Sequence, residues 1–315
     1  MTLFDKKNSA AARAAWLYYY EDLTQGDVAR ELSVSRSTVT RLLHRAKNEG
    51  LVHISLDVAS VTFDSERQVE RVYGLQKVRI VPESDNDSTQ KRWLGHIAAE
   101  SMVELMTDRA TVAVSWGTTM QALVDSLIGQ HPIPGAKIVA LVGGLHNASR
   151  GTNTYEVAER LGQYFNAPTS ALHAPVYVQD EATALGLADD PGIQEALELA
   201  RTASIVIFGL GGMHERTTMS QLGYISAEQR EFLRERGAVA DVSCRWIDRD
   251  GRPVALPPSI NPISITLDEL KAIPRRLAVV GGADKHEAIL AGLRGGYVTH
   301  LVTDERTAAF LLGKP

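Results

Sequence analysis

Glycine and hydroxyl residues follow four apolar segments of the sequence, where they could bind a small ligand. The clearest case is Ser-Trp-Gly-Thr-Thr at residues 115–119, and the other glycine turns lie at residues 143–144, 209–212 and 281–285. Backbone N–H groups, a helix dipole and two hydroxyls at residues 117–119 would suit an anion or a sugar hydroxyl. One glycine turn is uninformative, because such loops often need glycine, but four together predict a ligand crevice.

Lys285, at the end of the fourth glycine turn, is the candidate cation of this crevice. It is either a ligand-binding charge or a solvated lysine at a helix start, and the preceding glycines favour the first interpretation. Trp116 has two interpretations as well, since its ring could stack on a sugar or pack in the core. The residues that these turns offer to a ligand are Gly117, Thr118, Thr119, Gly143, Gly144 and Lys285.

A second kind of chemistry is indicated by residues 23–43, which have the pattern of two short helices joined by a turn. Apolar residues at helical spacing predict a helix over about residues 24–32, capped by Thr24. Ser35 is then expected to cap a second helix that begins at Arg36. This helix-turn-helix pattern is typical of domains that bind double-stranded DNA. Its predicted DNA-contacting residues are Ser35, Arg36, Ser37, Thr40, Arg41 and His44.

Charge supports this interpretation. Residues 30–47 carry five basic side chains and one acidic side chain, Glu31, whereas the whole chain has a formal net charge of −5. A local basic patch in an acidic protein is what attraction to DNA phosphates requires. A three-helix protein-interaction module with a solvated basic face is the alternative.

Flanking patterns complete a small N-terminal domain. Alanines and aromatic residues over residues 11–20 predict an earlier helix, and alternating apolar residues over 51–56 predict a short strand or wing. We therefore expect a DNA-binding domain over residues 1–57. Residues 58–315 are expected to form a domain for effector binding and oligomerisation.

Three carboxylates, Asp180, Glu181 and Asp241, are the candidates for enzymatic chemistry. They could supply the general acid and base that a sugar-phosphate isomerase needs. Nothing in the sequence places two of them together, so no catalytic residue is predicted. An isomerase-like enzyme with a fused DNA-binding domain is the alternative to a non-enzymatic, ligand-binding protein, and turnover on a panel of sugar phosphates separates the two.

Other site classes lack their signatures. The glycines of residues 209–211 lack the third glycine of a dinucleotide-binding turn, and there is no Walker loop. The histidines show no metal-ligand spacing, and the single cysteine, Cys244, excludes a disulfide within one chain. We expect neither a cofactor nor a metal.

Composition indicates a two-domain protein of the cytoplasm. The chain has 315 residues, of which 44% are hydrophobic, which is ample for a sizeable core. Its first residues lack the apolar stretch of a signal peptide, and no run approaches the ~18 apolar residues of a membrane span. A membrane partner is not expected.

The larger domain alternates apolar strands with amphipathic helices after a charged helical connector at residues 64–73. Strands are predicted at residues 77–82, 111–115, 138–142, 204–208, 277–280 and 298–302, and helices at 90–106, 119–128, 155–165, 194–203, 285–293 and 305–312. This alternation indicates an α/β, Rossmann-like fold with a mostly parallel sheet covered on both faces. Residues 239–254, with Asp250 and Gly251 as the turn, are expected to form an inserted hairpin.

These motifs, in this order, resemble the SorC family of sugar-responsive bacterial transcription regulators. The similarity covers nearly the whole chain. It rests on residues 13–20, 23–25 and 35–43, and then on 115–119, 142–144, 174–175, 209–211, 241–243, 281–285, 293–296 and 303–305.

The resemblance implies a fold like that of sugar-phosphate isomerases, used for sensing, and a dimer or tetramer that binds palindromic operators. It implies a small carbohydrate, polyol or sugar-phosphate effector from the pathway that the regulator controls. Residues 117–119 and Lys285 match the family's ligand-anchoring positions, and Asp241 matches a polar contact. Residues 261–263 are Asn-Pro-Ile where members often have Asn-Asp-Arg, which leaves room for a neutral sugar or polyol.

Overall fold

The computed structural model describes residues 3–52, 59–144, 153–215 and 217–313, without the side chains of residues 3–9 and 59–61. The chain divides into two compact units, Met1–Asp57 and Val58–Pro315.

The N-terminal unit contains three helices, α1 (Leu3–Tyr19), α2 (Gln25–Glu31) and α3 (Arg36–Asn48). Both predicted caps are confirmed. The Thr24 side chain accepts a hydrogen bond from the Asp27 N–H at 3.3 Å, and the Ser35 hydroxyl accepts one from the Thr38 N–H at 3.2 Å. The helices enclose a small core of Ala11, Ala14, Ala15, Leu17, Val28, Ala29, Val39, Leu43 and Ala46.

The predicted strand over residues 51–56 lies mostly outside the described residues, and its first two positions are not in a strand.

The described residues of the larger unit form three β-sheets. Its strands are β1 (Lys77–Val81), β2 (Thr111–Val114), β3 (Lys137–Ala140), β4 (Thr169–Ser170), β5 (Tyr177–Val178), β6 (Ile205–Phe208), β7 (Leu210–Gly211), β8 (Ala238–Val242), β9 (Arg245–Asp248), β10 (Asn261–Pro262), β11 (Arg275–Val279) and β12 (His300–Asp304). The main sheet has the order β1-β12-β11-β6-β2-β3-β4, and its described strand pairs are parallel, as predicted. β5 pairs with β10, and β7, β8 and β9 form an antiparallel sheet.

The helices of this unit are α4 (Ala59–Tyr73), α5 (Asp87–Leu105), α6 (Thr118–Asp125), α7 (Thr154–Phe165), α8 (Glu181–Ala188), α9 (Pro191–Arg201), α10 (Thr218–Gln221), α11 (Ala227–Glu235), α12 (Leu267–Ala272), α13 (His286–Arg294) and α14 (Glu305–Leu311). A 3-10 turn at Ala283–Lys285 precedes α13. The predicted long helices are all present, whereas α8, α10, α11 and α12 were not expected from the sequence.

Both faces of the main sheet are covered, which explains its uninterrupted apolar strands. Val112 and Val114 pack with α5, α6 and α7 in one core, while Ala113, between them, joins the core on the other face. That second core includes buried residues of α4, α9, α13 and α14.

The predicted hairpin exists, but its turn was placed wrongly. β8 and β9 are joined at Ser243 and Cys244, which both have positive φ angles, of 49° and 72°. The side chain of Asp241 supports this turn by accepting a hydrogen bond from the Cys244 N–H at 2.7 Å. Without a glycine or asparagine, the turn had no sequence signal. The Asp250 and Gly251 turn instead follows β9 and returns the chain to it.

Among the described residues, no helix has both the length and the apolar character that crossing a membrane requires. The same residues contain no group of three or more histidine, cysteine or acidic side chains arranged to hold a metal ion.

Candidate functional site

A cavity of about 660 Å³ lies beyond the carboxyl ends of the central strands. The segments after β2, β6 and β11 line it, together with the β8–β9 hairpin and α10–α11. This volume is in the usual range for small-molecule sites, and the position is the expected one for a parallel sheet. Five residues that we predicted as ligand contacts line the cavity: Gly117, Thr118, Thr119, Asp241 and Lys285.

Gly117 turns the chain from β2 into α6. Its φ is +124°, a conformation that side chains disfavour, although a Cβ there would meet no atom within 4 Å. The glycine is therefore required by the backbone angle rather than by space. In the part of the chain that the structure describes, no side chain caps α6, so its first N–H groups are available to an anion, beside the hydroxyls of Thr118 and Thr119.

Lys285 is the cavity residue best suited to bind a negatively charged ligand. It is half-buried, and burial lowers the pKa of its ammonium group, with Asp284 opposing that shift. Within the described residues, its Nζ has no carboxylate within 4.0 Å. A half-buried ammonium without an ion-pair partner favours the binding of an anion.

Asp304 holds the loop that carries Lys285, a role that the sequence did not indicate. Its carboxylate is 2% exposed and accepts hydrogen bonds from the Gly282 N–H at 2.6 Å and the Thr307 N–H at 2.8 Å. A Cβ at Gly281 would lie 2.1 Å from Asp304 Oδ2, so only glycine fits there. The carboxylate thus ties the glycine turn after β11 to the start of α14.

Asp241 places a carboxyl group on the wall of the same cavity, so the cavity has an acidic group as well as the basic group of Lys285. Burial raises its pKa to about 7, while the hydrogen bond from the Cys244 N–H acts in the other direction. Near neutral pH, Asp241 is therefore present in both protonation states. Either state can form a hydrogen bond with a ligand hydroxyl, as acceptor or as donor.

Among the described residues, three other lysines and arginines line the cavity, and each has an acidic partner. Lys91 pairs with Asp87 at 2.6 Å, Arg230 pairs with Glu215 at 2.9 Å, and Arg306 contacts Glu83. Sequence reasoning missed all three, because each lies on a helix with an ordinary pattern of polar residues. Trp116 lines the cavity and also belongs to the core, so both interpretations of its ring stay compatible with its position.

Gly143 and Gly144 are not among the residues that line the cavity. A Cβ at Gly143 would lie 2.5 Å from the Ala174 carbonyl oxygen, and one at Gly144 would lie 2.7 Å from the Tyr155 ring. These two glycines therefore permit close packing, and their contact with a ligand stays a prediction. Close packing and contact with a ligand both require a residue without a side chain, so the sequence alone could not distinguish these two roles.

The candidate acid–base groups are likewise not brought together. Asp180 caps α8 by accepting a hydrogen bond from the Thr183 N–H at 2.8 Å, and neither Asp180 nor Glu181 lines the cavity. Asp241 is the one member of this predicted trio on the cavity wall.

The polar face of α3 is a second candidate site. Its buried side is formed by Val39, Leu43 and Ala46, and its predicted DNA-contacting residues Arg36, Ser37, Thr40, Arg41 and His44 are exposed, as is the cap Ser35. Thr40 is oriented by a hydrogen bond from its hydroxyl to Gln25 Oε1 at 3.1 Å. In the described part of the chain, neither Arg36 nor Arg41 forms an ion pair, so both guanidinium groups can meet phosphates or bases.

Comparison with known proteins gives a family match for each of the two units. The family model described as "Putative sugar-binding domain" matches residues 58–313, and a model of the MarR family matches residues 14–58. The chain belongs to this sugar-binding-domain family. It is a transcriptional regulator with a helix-turn-helix, as the sequence predicted.

Named relatives span the whole regulator. The deoxyribonucleoside regulator of Bacillus subtilis is 29% identical over 98% of both chains. The transcriptional regulator LsrR of Escherichia coli is 29% identical over 96% of this chain and 93% of its own.

Solved structures show the same fold. The full-length sorbitol operon regulator SorC from Klebsiella pneumoniae has a TM-score of 0.77 at 23% identity, covering 96% of this chain and 97% of its own. A DeoR family transcriptional regulator from Listeria monocytogenes has a TM-score of 0.73 at 26% identity, covering 80% of this chain and 100% of its own. The predicted α/β fold is confirmed.

Proposed function

We propose that this regulator controls a carbohydrate or polyol catabolic operon. A small carbohydrate, polyol or sugar phosphate binds in the cavity and changes the affinity of α3 for operator DNA. The observation that carries this proposal is the combination of uncapped α6 amides, Lys285 and Asp241 around one cavity. The names of the relatives, a deoxyribonucleoside regulator and a sorbitol operon regulator, support the same class of effector.

The cavity is suited to a ligand with an anionic end and several hydroxyls. The α6 N-terminus and Lys285 attract negative charge, and the Asp241 carboxyl and the Ser243 hydroxyl offer hydrogen bonds. Residues 261–263, where the sequence lacks an arginine, are not among the lining residues. The positive charge of this cavity therefore does not depend on that position, which favours a phosphorylated effector over a neutral one.

At the DNA end, Ser35, Arg36, Ser37, Thr40, Arg41 and His44 are the proposed contacts of α3. One helix-turn-helix covers one half-site, so a palindromic operator needs two copies, and the active species is a dimer or tetramer. The regulator acts in the cytoplasm, where bacterial operator DNA lies.

Binding without turnover is the proposed outcome at the cavity. In its support, Asp180 and Glu181, two of the three carboxylates considered for isomerase chemistry, do not line the cavity, so they form no acid–base pair there with Asp241. A panel of sugar phosphates, followed for product by nuclear magnetic resonance, tests it directly. Conversion of any panel member at a catalytic rate would replace the sensing role with an enzymatic one.

The function as a whole is tested by operator binding in the presence of candidate effectors. An operator is selected from random duplex DNA with the full-length protein, and fluorescence anisotropy is measured against sugars, polyols and their phosphates. We expect at least one of them to change the operator dissociation constant, and Lys285→Ala to weaken that response. Lys137→Ala, an exposed charge at the amino end of β3, is the control. If no compound changes operator binding, the proposal is wrong.

A further inference from the structure

Arg230 is a cation on the cavity wall that the proposed function does not use. It lies on α11, and its side chain is only 14% exposed. Its guanidinium lines the same cavity as Lys285 but comes from a different part of the chain. A largely buried guanidinium is costly unless anionic groups are nearby, so its partner is informative.

The partner of Arg230 is an exposed carboxylate. Glu215 Oε1 lies 2.9 Å from Arg230 Nη2, yet the Glu215 side chain is 80% exposed. Among the described residues, the other guanidinium nitrogen, Nη1, makes a long contact of 3.5 Å with the Ser220 hydroxyl. An exposed carboxylate retains most of its hydration, so Glu215 can leave with little change in its own solvation, provided that another anion takes its place beside Arg230.

We infer that Arg230 binds a second acidic group of the effector, a carboxylate or a phosphate, which takes the place of Glu215. The inference rests on the proposed function of the cavity. It specifies the ligand class as a sugar derivative with two anionic groups, one at Lys285 and the α6 N-terminus and the other at Arg230.

The surroundings of Arg230 suit such a group. A planar guanidinium can bind a carboxylate or phosphate through two parallel hydrogen bonds. The contact of Arg230 with Glu215 is through one carboxylate oxygen, Oε1, so it does not have this two-bond geometry. Hydroxyls of Thr217, Thr218 and Ser220 line the cavity on the segment before α11. Met213, Met219 and Ile225 line it as well, and their apolar surface strengthens an ion pair by limiting contact with water.

Matched pairs of probes test the inference on the full-length protein. Each pair contains a sugar monophosphate and the same sugar with a second acidic group: fructose 6-phosphate with fructose 1,6-bisphosphate, ribulose 5-phosphate with ribulose 1,5-bisphosphate, and glucose 6-phosphate with 6-phosphogluconate. Titration calorimetry measures each dissociation constant, together with that of neutral sorbitol. We expect the wild type to bind the doubly anionic member of at least one pair about tenfold or more tightly than its monophosphate.

Three variants assign that preference to Arg230. Arg230→Gln should abolish it by weakening the doubly anionic member far more than the monophosphate, and Glu215→Gln should increase it, because the competing carboxylate is gone. Arg234→Gln, on the same helix and paired with Glu231, should behave like the wild type. Circular dichroism of each variant verifies that it is folded.

The outcomes separate the inference from the proposed function. If monophosphates or sorbitol bind and shift operator affinity, but a second acidic group adds nothing, the cavity is an effector site and the inference about Arg230 is wrong. The inference is equally wrong if Arg230→Gln keeps the full preference for doubly anionic probes. If no probe binds, the proposed function and the inference are both wrong.

Discussion

Protonation of the Asp241 carboxyl makes the charge of the cavity depend on pH. Burial raises its pKa to about 7, against an ordinary value of 3.8. The folded state therefore binds more protons than the unfolded state between about pH 4 and pH 7. Stability from this group is full below that window and falls as the pH rises through it.

We expect Asp241→Asn to remove this pH dependence. The variant keeps an oxygen that can accept the hydrogen bond from the Cys244 N–H but cannot ionise. Relative to the wild type, its free energy of unfolding should rise by about 4 kcal/mol between pH 4 and pH 8. Urea denaturation at several pH values measures this difference, and a difference that does not change with pH would contradict the assignment.

Asp304 is the residue on which the Lys285 loop depends. Asp304→Asn replaces one acceptor oxygen by an amide that cannot accept the N–H of Gly282 or Thr307. We expect a loss of about 1–3 kcal/mol in stability and a larger proportional loss in effector affinity than in operator affinity. Calorimetry and anisotropy on the same preparation make the comparison, with Asp250→Asn in an exposed turn as the control. Equal losses at both sites would indicate general unfolding.

At the scale of elements, α6 presents its first turn to the cavity without a capping side chain. Thr119→Val keeps the shape of the side chain and removes its hydroxyl. We expect a higher effector concentration to be needed for half-maximal change in operator binding, with operator affinity itself unaltered. Thr202→Val, at the end of α9 and away from the lining residues, is the matched control. An unchanged effector response in Thr119→Val would exclude a contact at this hydroxyl.

The proposed DNA-recognition helix, α3, is tested by Arg36→Ala and Arg41→Ala. Both side chains are exposed and apart from the buried Val39, Leu43 and Ala46, so the fold should be retained. Loss of a base contact should cost ~1–3 kcal/mol of operator affinity, while loss of a phosphate contact should make the salt dependence shallower. If both variants keep the wild-type affinity and salt slope, α3 does not read the DNA.

At the scale of the whole molecule, we expect assembly to determine operator affinity. A fragment of residues 1–56 contains the three helices α1–α3 but lacks the larger unit. We expect it to bind the operator much more weakly than the full chain at the same salt concentration, because linked half-sites gain from effective concentration. Equal affinities would show that oligomerisation through residues 58–315 is unnecessary.

Coupling between the two sites is also a property of the whole molecule. If an effector changes operator affinity by some factor, operator DNA must change effector affinity by the same factor. With one compound, we would measure operator affinity with and without effector, and effector affinity with and without operator. Unequal factors would contradict the proposed switch, and this test needs no variant.

Local features of this protein followed from its sequence. The caps Thr24 and Ser35 hydrogen-bond within three residues, and the strands and long helices follow from apolar periodicity, so short stretches of sequence contain the necessary information. Gly117 and Lys285 were found for the same reason, since each lies where a predicted strand turns into a helix.

Tertiary structure alone decided which residues share the cavity. Gly143 and Gly144 have the same local pattern as Gly117, yet they face Ala174 and Tyr155 in close packing. Arg230 and Asp304 contribute through partners that their neighbours in sequence do not reveal, and Asp304 contacts Gly282 across 22 positions. Roles of this kind depend on contacts between distant segments, which form only when the sheet brings the ends of its strands together.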